Sequence, residues 1–219
     1  MSRVPGDGAT VTLSGAIGQQ GVLPIERPTR TLSSMIARAG GVSIDPETAI
    51  IRVTRGSQTG SVWLVDLYEN PSLDIALRPG DIIVVEEDRR SFVTMGATGS
   101  QSRVDFQTQT LSGIEALALV GGLNTSLADP TGVFIFRNEP AEIANAVLGR
   151  NDLVGAQRMV YVLDLTRPNG MFEARDFLVR DGDTLYVTEA PYVQWQKTIS
   201  AITGAGSAAN SLANVGTTN

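Results

Sequence analysis

The acidic residues are the first candidates for chemistry in this chain, because it contains neither histidine nor cysteine. Without these residue types there is no thiol nucleophile, no disulfide and no imidazole to act as a general base. The adjacent carboxylates Glu86, Glu87 and Asp88 could serve as the acid and base of a glycosidase. Adjacent charges between two predicted segments are more typical of a solvated linker, so we predict that they are not catalytic.

A second acidic group, Asp181 and Asp183, flanks Gly182 and raises the question of a calcium site. An EF-hand loop requires further oxygen ligands and a glutamate at its twelfth position, whereas a strand is predicted to follow Asp183 directly. Aspartate beside glycine is typical of a turn. The glycine-containing segments 6–8 and 96–101 match neither the phosphate loop nor the dinucleotide-binding motif. The sequence therefore predicts no enzyme activity, no cofactor and no metal site.

The composition limits the class of protein. A chain of 219 residues has room for two domains of about 100 residues each. Its hydrophobic content of 42% permits packed cores, and its 23 glycines and 10 prolines indicate many turns. The formal charge of −6 argues against a nucleic-acid-binding protein, since such a protein needs a basic surface.

The elements that position these residues form an internal repeat. Residues 31–42 and 110–123 each carry apolar residues at helical spacing and end in a double glycine, Gly40-Gly41 or Gly121-Gly122. We predict equivalent helices at 31–39, with Thr31 as N-cap, and at 110–120.

Strands are predicted around both helices. A hairpin precedes each helix, three strands follow it, and a turn with the pattern Arg-x-Gly-Asp comes before the last strand. The predicted strands are 11–17, 22–23, 49–54, 62–67 and 82–86 in the first copy, and 92–98, 133–137, 160–165 and 184–188 in the second. This order predicts an α+β fold with two tandem β-grasp domains. The second copy carries an insertion, residues 138–159, in which 140–148 could form a short helix.

The core residues follow from these patterns. The predicted core of the first copy is Leu32, Met35, Ile36, Ile82 and Val84. The predicted core of the second copy is Leu111, Ile114, Val162, Leu185 and Val187.

The repeat resembles the SLBB (soluble-ligand-binding β-grasp) domains of outer-membrane polysaccharide export proteins, the Wza-like or OPX family. The residues that carry the resemblance are Thr31-Leu32, Ala39-Gly40-Gly41, Leu77-Arg-Pro-Gly-Asp81, Tyr161-Val-Leu-Asp-Leu165, Pro168, Phe172-Glu-Ala-Arg-Asp-Phe177 and Asp183-Thr-Leu-Tyr-Val187. The run from Ala190-Pro191 to Lys197 resembles the capsule-export branch. The similarity extends over nearly the whole chain.

The resemblance implies a structural subunit of an outer-membrane translocon that exports capsular or extracellular polysaccharide. It implies ring-shaped homo-oligomers, commonly octamers, an inner-membrane polysaccharide copolymerase as partner, and a location in the periplasm and outer membrane of a Gram-negative bacterium. We expect SLBB domains at 1–88 and 89–190 and a C-terminal amphipathic membrane segment at 191–219. The family's N-terminal export domain and lipobox cysteine do not occur in this sequence, so we read the chain as the C-terminal part of a longer protein.

A different class of function also fits the residues, namely a soluble β-grasp module that binds a glycan or a small ligand. The sequence offers few aromatic residues on which a sugar could stack, with Trp63 and Trp195 as the only tryptophans. Both functions remain open at this point.

The C-terminal segment contains no charged residue after Lys197. On a helix, its polar residues form one narrow stripe, which we predict to line a pore: Ser200, Thr203, Ser207, Asn210, Ser211 and Asn214. Residues 198–215 would extend about 27 Å, close to the hydrocarbon thickness of a bilayer. Tyr192 and Trp195 are predicted to lie at the membrane interface. The alternative is a disordered tail, as chain termini often are.

Overall fold

The computed structural model describes residues 9–190, and this part of the chain contains twelve strands and five α-helices. It divides into two compact units. The first comprises residues 9–89 together with 106–110, and the second comprises 90–105 together with 111–190. The 106–110 segment is held in the first unit by a hydrogen bond of 2.8 Å from Gln109 Nε2 to Asp66 Oδ2.

The first unit is a five-stranded sheet with helices on one face. Its elements are β1 (Thr10–Gly15), β2 (Gly21–Pro24), α1 (Leu32–Arg38), β3 (Ala49–Arg55), β4 (Gln58–Trp63), α2 (Leu64–Glu69) and β5 (Ile82–Glu87). The strand order is β2-β1-β5-β3-β4, with β1 and β5 parallel and the other pairs antiparallel. The last strand of the first unit, β5, therefore occupies the centre of the sheet.

The second unit repeats this arrangement with additions. Its elements are β6 (Ser91–Gly96), β7 (Arg103–Asp105), β8 (Leu111–Ser112), α3 (Gly113–Leu119), β9 (Ala128–Glu139), α4 (Ala141–Leu148), β10 (Gln157–Leu163), α5 (Gly170–Asp176), β11 (Leu178–Val179) and β12 (Thr184–Glu189). The main sheet has the order β7-β6-β12-β9-β10, which matches the first unit strand for strand, and β12 is again central and parallel to its neighbour β6. The prediction of a mixed helix-and-strand fold is confirmed.

The equivalent helices α1 and α3 end as the sequence predicts, and α1 also has the predicted N-cap, Thr31, whereas α3 begins later than predicted. Both double glycines have positive φ angles, between 76° and 83°, which a residue with a side chain rarely adopts. The N-cap of α3 is Ser112 rather than a residue at 110, and it forms a capping box with Glu115 through bonds of 3.3 and 2.8 Å. The predicted start was wrong because Leu111 and Ser112 pair with β11 as strand β8.

Two other predicted segments differ from the structure. Residues 62–67 are not a strand but the end of β4 followed by α2, because Leu64 and Leu67 are buried at helical spacing. The strand predicted at 160–165 ends at Leu163, and helix α5 was not predicted. The short helix predicted within the insertion is confirmed as α4.

The predicted core is correct on α1, β8 and β12 and partly wrong on α3, β5 and β10. Leu32, Met35, Ile36, Leu111, Leu185 and Val187 are buried. Ile82 is 44% exposed and Val84 is half-buried, while the buried residues of β5 are Ile83 and Val85. Val162 is exposed and Ile114 is half-buried. Apolar residues at consecutive strand positions do not reveal which alternate set faces inward. On β5 and β10 the predicted inward-facing set was therefore displaced by one residue.

Gly15 and Gly96 lie at equivalent ends of β1 and β6 and have the same backbone geometry. Their φ angles are +89° and +82°. A Cβ atom at either position would lie 2.0 Å from the carbonyl oxygen of Val85 or Val187 on the central strand. Only glycine allows the strands to approach so closely at this point.

Candidate functional site

The outward face of the second sheet is apolar, although it is not covered within the described chain. Two rows of side chains cross β10, β9, β12 and β6 on this face. The first row is Val160, Phe136, Thr184 and Val93, and the second row is Val162, Phe134, Tyr186 and Met95. All of the apolar members except the half-buried Phe134 are among the exposed large hydrophobic residues, with Phe136 at 44% and Val162 at 55%. We call these eight residues the outward face.

The same positions in the first unit are mostly polar. The equivalent rows are Thr59, Thr54, Ile82 and Thr12, and Ser61, Arg52, Val84 and Ser14. Arg52 forms a salt bridge of 2.8 Å with Glu86 on this surface. The fold therefore does not require an apolar outward face. Because soluble monomers rarely expose contiguous apolar patches, the face in the second unit is a candidate for association with another molecule.

The insertion between β9 and β10 presents a second apolar surface. The first unit has only the two-residue turn Gly56-Ser57 at this place. The insertion is held by Asn145, whose side chain makes two hydrogen bonds of 3.1 Å to the backbone of Leu153. Val147, Leu148 and Val154 are exposed on it, the last at 88%. Both apolar surfaces thus occur in the same unit, and neither has a counterpart in the other.

Each unit contains an arginine clasped to a buried aspartate at the turn before its last strand. In the first unit, Arg55 Nε and Nη2 donate to the carboxylate of Asp81 at 2.8 and 2.7 Å. In the second unit, Arg137 makes the same two bonds to Asp183 at 2.8 and 2.6 Å. The bond from Arg55 holds the pKa of Asp81 below its ordinary value, although burial opposes the shift. The aspartates have the turn role predicted from the sequence.

Glu139 adds a second carboxylate to the cluster in the second unit only. Its side chain accepts hydrogen bonds from Tyr161 Oη at 2.9 Å, from Arg180 Nη1 at 2.9 Å and from Arg137 Nη1 at 3.3 Å. Burial alone would raise the pKa of Glu139, but the bonds from Tyr161 and Arg137 and the charge of Arg180 hold it below its ordinary value. Every charge in the cluster is paired, so it stabilises the unit rather than offering a reactive group.

A cavity of about 630 Å³ opens in the first unit between the edge strand β4 and the loop that contains Leu73 and Ile75. Its floor consists of the buried residues Leu32, Ile51 and Val53. Arg55 also lines it, with 32% of its side chain exposed. The polar lining residues are Gln58, Thr59, Ser61 and Ser72.

The residues predicted to line a pore or to lie at the membrane interface all fall within 191–219, outside the described residues. These are Ser200, Thr203, Ser207, Asn210, Ser211 and Asn214 for the pore, and Tyr192 and Trp195 for the interface. In the part that the structure does describe, 9–190, no helix combines the length and the apolar character needed to cross a bilayer. Nor does that part hold a cluster of three acidic side chains placed to bind a metal ion.

The acidic residues singled out in the sequence do not line the cavity. Glu86 pairs with Arg52, and Asp181 accepts a hydrogen bond of 2.9 Å from the backbone of Ser91. Asp88 is buried, which corrects the prediction of a solvated linker at 86–88. The outward face was not predicted, although the sequence contains a signal for it. Val133-Phe-Ile-Phe136 is apolar at every position, whereas the equivalent Ile51-Arg-Val-Thr54 alternates.

Comparisons with known proteins give a consistent result. The family model for the SLBB domain matches residues 9–85. The Vi polysaccharide export protein VexA/TviF of Salmonella typhi is 32% identical over 195 residues, which are 89% of this chain and 53% of that protein. The capsule polysaccharide export outer membrane protein CtrA of Neisseria meningitidis is 30% identical over 202 residues, with coverages of 88% and 52%. The capsule polysaccharide export protein BexD of Haemophilus influenzae is 28% identical over 187 residues, with coverages of 82% and 47%. The chain thus spans about half the length of these relatives.

Proposed function

Because this chain is a relative of the capsule polysaccharide export outer membrane proteins, we propose that it is a structural subunit of a polysaccharide translocon. Its cargo is a capsular or extracellular polysaccharide, and it works in the periplasm and outer membrane of a Gram-negative bacterium. The relatives are named as export proteins and not as enzymes, which fits the expected lack of catalysis.

In this proposal the two units are tandem SLBB-type domains, 1–88 and 89–190 with the insertion 138–159, followed by the amphipathic segment 191–219. The matching strand orders support two copies of one domain. The equivalent glycines and the equivalent Arg–Asp clasps support it independently, because they place the same chemistry at the same positions.

The observation that carries the proposal is the apolar outward face of the second unit. An apolar sheet face that meets a different apolar surface on a neighbouring copy makes a head-to-tail interface, and such interfaces form a ring when the rotation between neighbouring copies closes. The exposed apolar side chains of the insertion supply that second surface, and they lie on the same unit. The proposed assembly is a homo-oligomeric ring, in the family commonly an octamer, that works with an inner-membrane polysaccharide copolymerase.

The test is to place charges on the outward face. Phe136→Glu combined with Val162→Glu is expected to reduce the ring to smaller species, because each carboxylate would have to be desolvated in the interface. The mass of the membrane-extracted protein in detergent is measured by size-exclusion chromatography with light scattering. Thr54→Glu combined with Ser61→Glu, at the equivalent positions of the first unit, is the matched control and is expected to leave the mass unchanged. A full-sized ring in the first double variant would refute this interface.

The proposed pore requires a separate test on the tail. Cysteines replacing Ser200 and Ser207, on the polar stripe, are expected to react with a water-soluble maleimide in the assembled, membrane-bound protein. Cysteines replacing Ile202 and Ala209, on the opposite face, are expected to be shielded by lipid and to react at least about tenfold more slowly, because thiolates do not form readily in hydrocarbon. Equal labelling on both faces would rule out a pore-lining helix.

The cavity in the first unit favours a second candidate function, the binding of a small ligand by the β-grasp domain. Its volume of about 630 Å³ lies within the range of small-molecule sites. The two functions are compatible, since the cavity and the outward face belong to different units.

A further inference from the structure

The two units differ at the place where the first has its cavity. Strand pairing makes Gly60 of β4 equivalent to Tyr161 of β10, because they lie opposite Val53 and Ile135, two residues before the clasping arginines. Ile75 is equivalent to Phe177, since each precedes the residue whose carbonyl oxygen accepts a bond from that arginine. The first unit therefore has a glycine and an isoleucine where the second has two aromatic rings.

The rings of Tyr161 and Phe177 fill this space in the second unit. Their centroids are 5.1 Å apart at an interplanar angle of 60°. The guanidinium carbon of Arg137 lies 5.0 Å from the ring centre of Phe177 and 5.6 Å from that of Tyr161. The second unit thus shows which groups this site accommodates, namely aromatic rings against aliphatic residues with a guanidinium over their faces.

The arginines also differ in their number of carboxylate partners. Arg137 contacts Asp183 and Glu139, whereas Arg55 contacts Asp81 alone. Two residues after Arg55 the chain has Ser57, in a turn, at the position that corresponds to Glu139. Within residues 9–190 the bonds of Arg55 use Nε and Nη2, so Nη1 remains for a second carboxylate.

We propose that the cavity of the first unit binds a small aromatic carboxylate. The ring occupies the space that Tyr161 and Phe177 fill in the second unit, and the carboxylate bonds to Arg55 as Glu139 bonds to Arg137. The inference supplies a ligand class for the second candidate function and does not rest on the translocon. Because assembly is measured separately, failure of ligand binding and failure of the ring are distinguishable.

The lining of the cavity favours an aromatic acid over a sugar acid. The floor is aliphatic, formed by Leu32, Ile51 and Val53, and suits a flat apolar ring better than the hydroxyl groups of a uronic acid. A charge-assisted bond from an arginine to a carboxylate is among the stronger hydrogen bonds in proteins. Rim residues such as Gln58 and Ser72 can bond a phenolic hydroxyl, as Glu139 does with Tyr161.

The first arm of the test compares three probes on the full chain by titration with NMR detection. We expect 4-hydroxyphenylacetate to bind with a Kd of about 1 mM, a value reasonable for a ligand of this size. The uncharged 4-hydroxyphenylacetamide and the sugar acid glucuronate are each expected to bind at least about tenfold more weakly. Equal binding of the amide would overturn the role of Arg55, and equal binding of glucuronate would overturn the aromatic class. If 4-hydroxyphenylacetate showed no saturable binding at concentrations up to about 10 mM, the whole proposal would be overturned.

The second arm fills the cavity with the residue that the second unit uses. Gly60→Tyr is expected to weaken binding of 4-hydroxyphenylacetate more than about tenfold, because the new ring takes the place of the ligand. The variant is expected to fold, since a Cβ atom at Gly60 would meet no atom within 4 Å and the backbone needs no positive φ there. Thr54→Tyr, on the opposite side of the sheet, is the matched control and is expected to change the Kd less than about twofold. Retained binding in Gly60→Tyr would refute the site.

Discussion

Replacing Arg137 with alanine is expected to lower the free energy of unfolding of the second unit by about 3–5 kcal/mol. The side chains of Asp183 and Glu139 are each 1% exposed, and that of Arg137 is 6% exposed. Removal of the cation leaves the buried carboxylate of Asp183 with a backbone hydrogen bond only, while Glu139 keeps its bonds to the half-exposed Arg180 and to Tyr161. The measurement is urea-induced unfolding of the full chain, followed by circular dichroism and by hydrogen exchange of amides in β9 and β12.

Arg103→Ala is the matched control for this experiment. Arg103 lies 3.8 Å from Asp105 on the surface of the same unit, with both side chains more than two-thirds exposed. Surface ion pairs of this kind contribute about 0–1 kcal/mol. If Arg137→Ala were no more destabilising than Arg103→Ala, the cluster would not be a source of stability.

The difference in unfolding free energy between the unmodified protein and Arg137→Ala is expected to depend on pH. The folded-state pKa of Glu139 is lowered, so its stabilising contribution is present above the unfolded pKa and is lost as the pH falls through the folded value. Part of that lowering comes from Arg137 and is removed in the variant. The gap in stability between the two proteins is therefore expected to narrow as the pH falls below about 4.3, the ordinary pKa of a glutamate.

The variant Gly96→Ala is expected to destabilise the second unit by about 3 kcal/mol or more. The added methyl would lie 2.0 Å from the carbonyl oxygen of Val187, and the φ angle of +82° disfavours alanine in any case. The strands β6 and β12 would have to separate, and both belong to the centre of the sheet. Thermal and urea unfolding of the purified chain measure the loss.

The variant Gly182→Ala separates the steric clash with Val187 from the strain of a positive φ angle. Gly182 has nearly the same φ angle, +80°, but a Cβ atom there would have no neighbour within 4 Å. Only backbone strain then acts, and the expected loss is about 1 kcal/mol. Equal losses in the two variants would show that the close approach to Val187 contributes nothing.

Much of the architecture could be predicted because the same sequence features occur in both halves of the chain. The double glycines, the Gly15–Gly96 pair and the Arg-x-Gly-Asp turns recur in order, and each recurrence marks the same backbone geometry in both units. The family resemblance, which rests in part on Gly40-Gly41 and on the turn that ends at Asp81, is confirmed by the capsule export relatives. Local signals of this kind depend on backbone sterics, which the sequence expresses directly.

The features that escaped prediction depend on contacts between distant residues. Leu64 and Leu67 read as the end of a strand, and only their burial against the core assigns them to a helix. Ile82 and Ile83 are chemically identical, so the sequence cannot say which one faces inward. The cavity is defined by side chains that are small or absent, such as Gly60, and becomes visible only when the equivalent Tyr161 is placed beside it.

The central position of the final strand in each sheet has a consequence for folding during synthesis or export of the chain. β5 lies between β1 and β3, and β12 lies between β6 and β9. A polypeptide that emerges from a ribosome or a translocation channel N-terminus first cannot close the first sheet until Glu87 is out, nor the second until Glu189. Until then β1 and β3 have open edges that could pair with other chains. Each sheet is therefore completed only after its central strand has emerged, which makes sheet closure a late event in the folding of each unit.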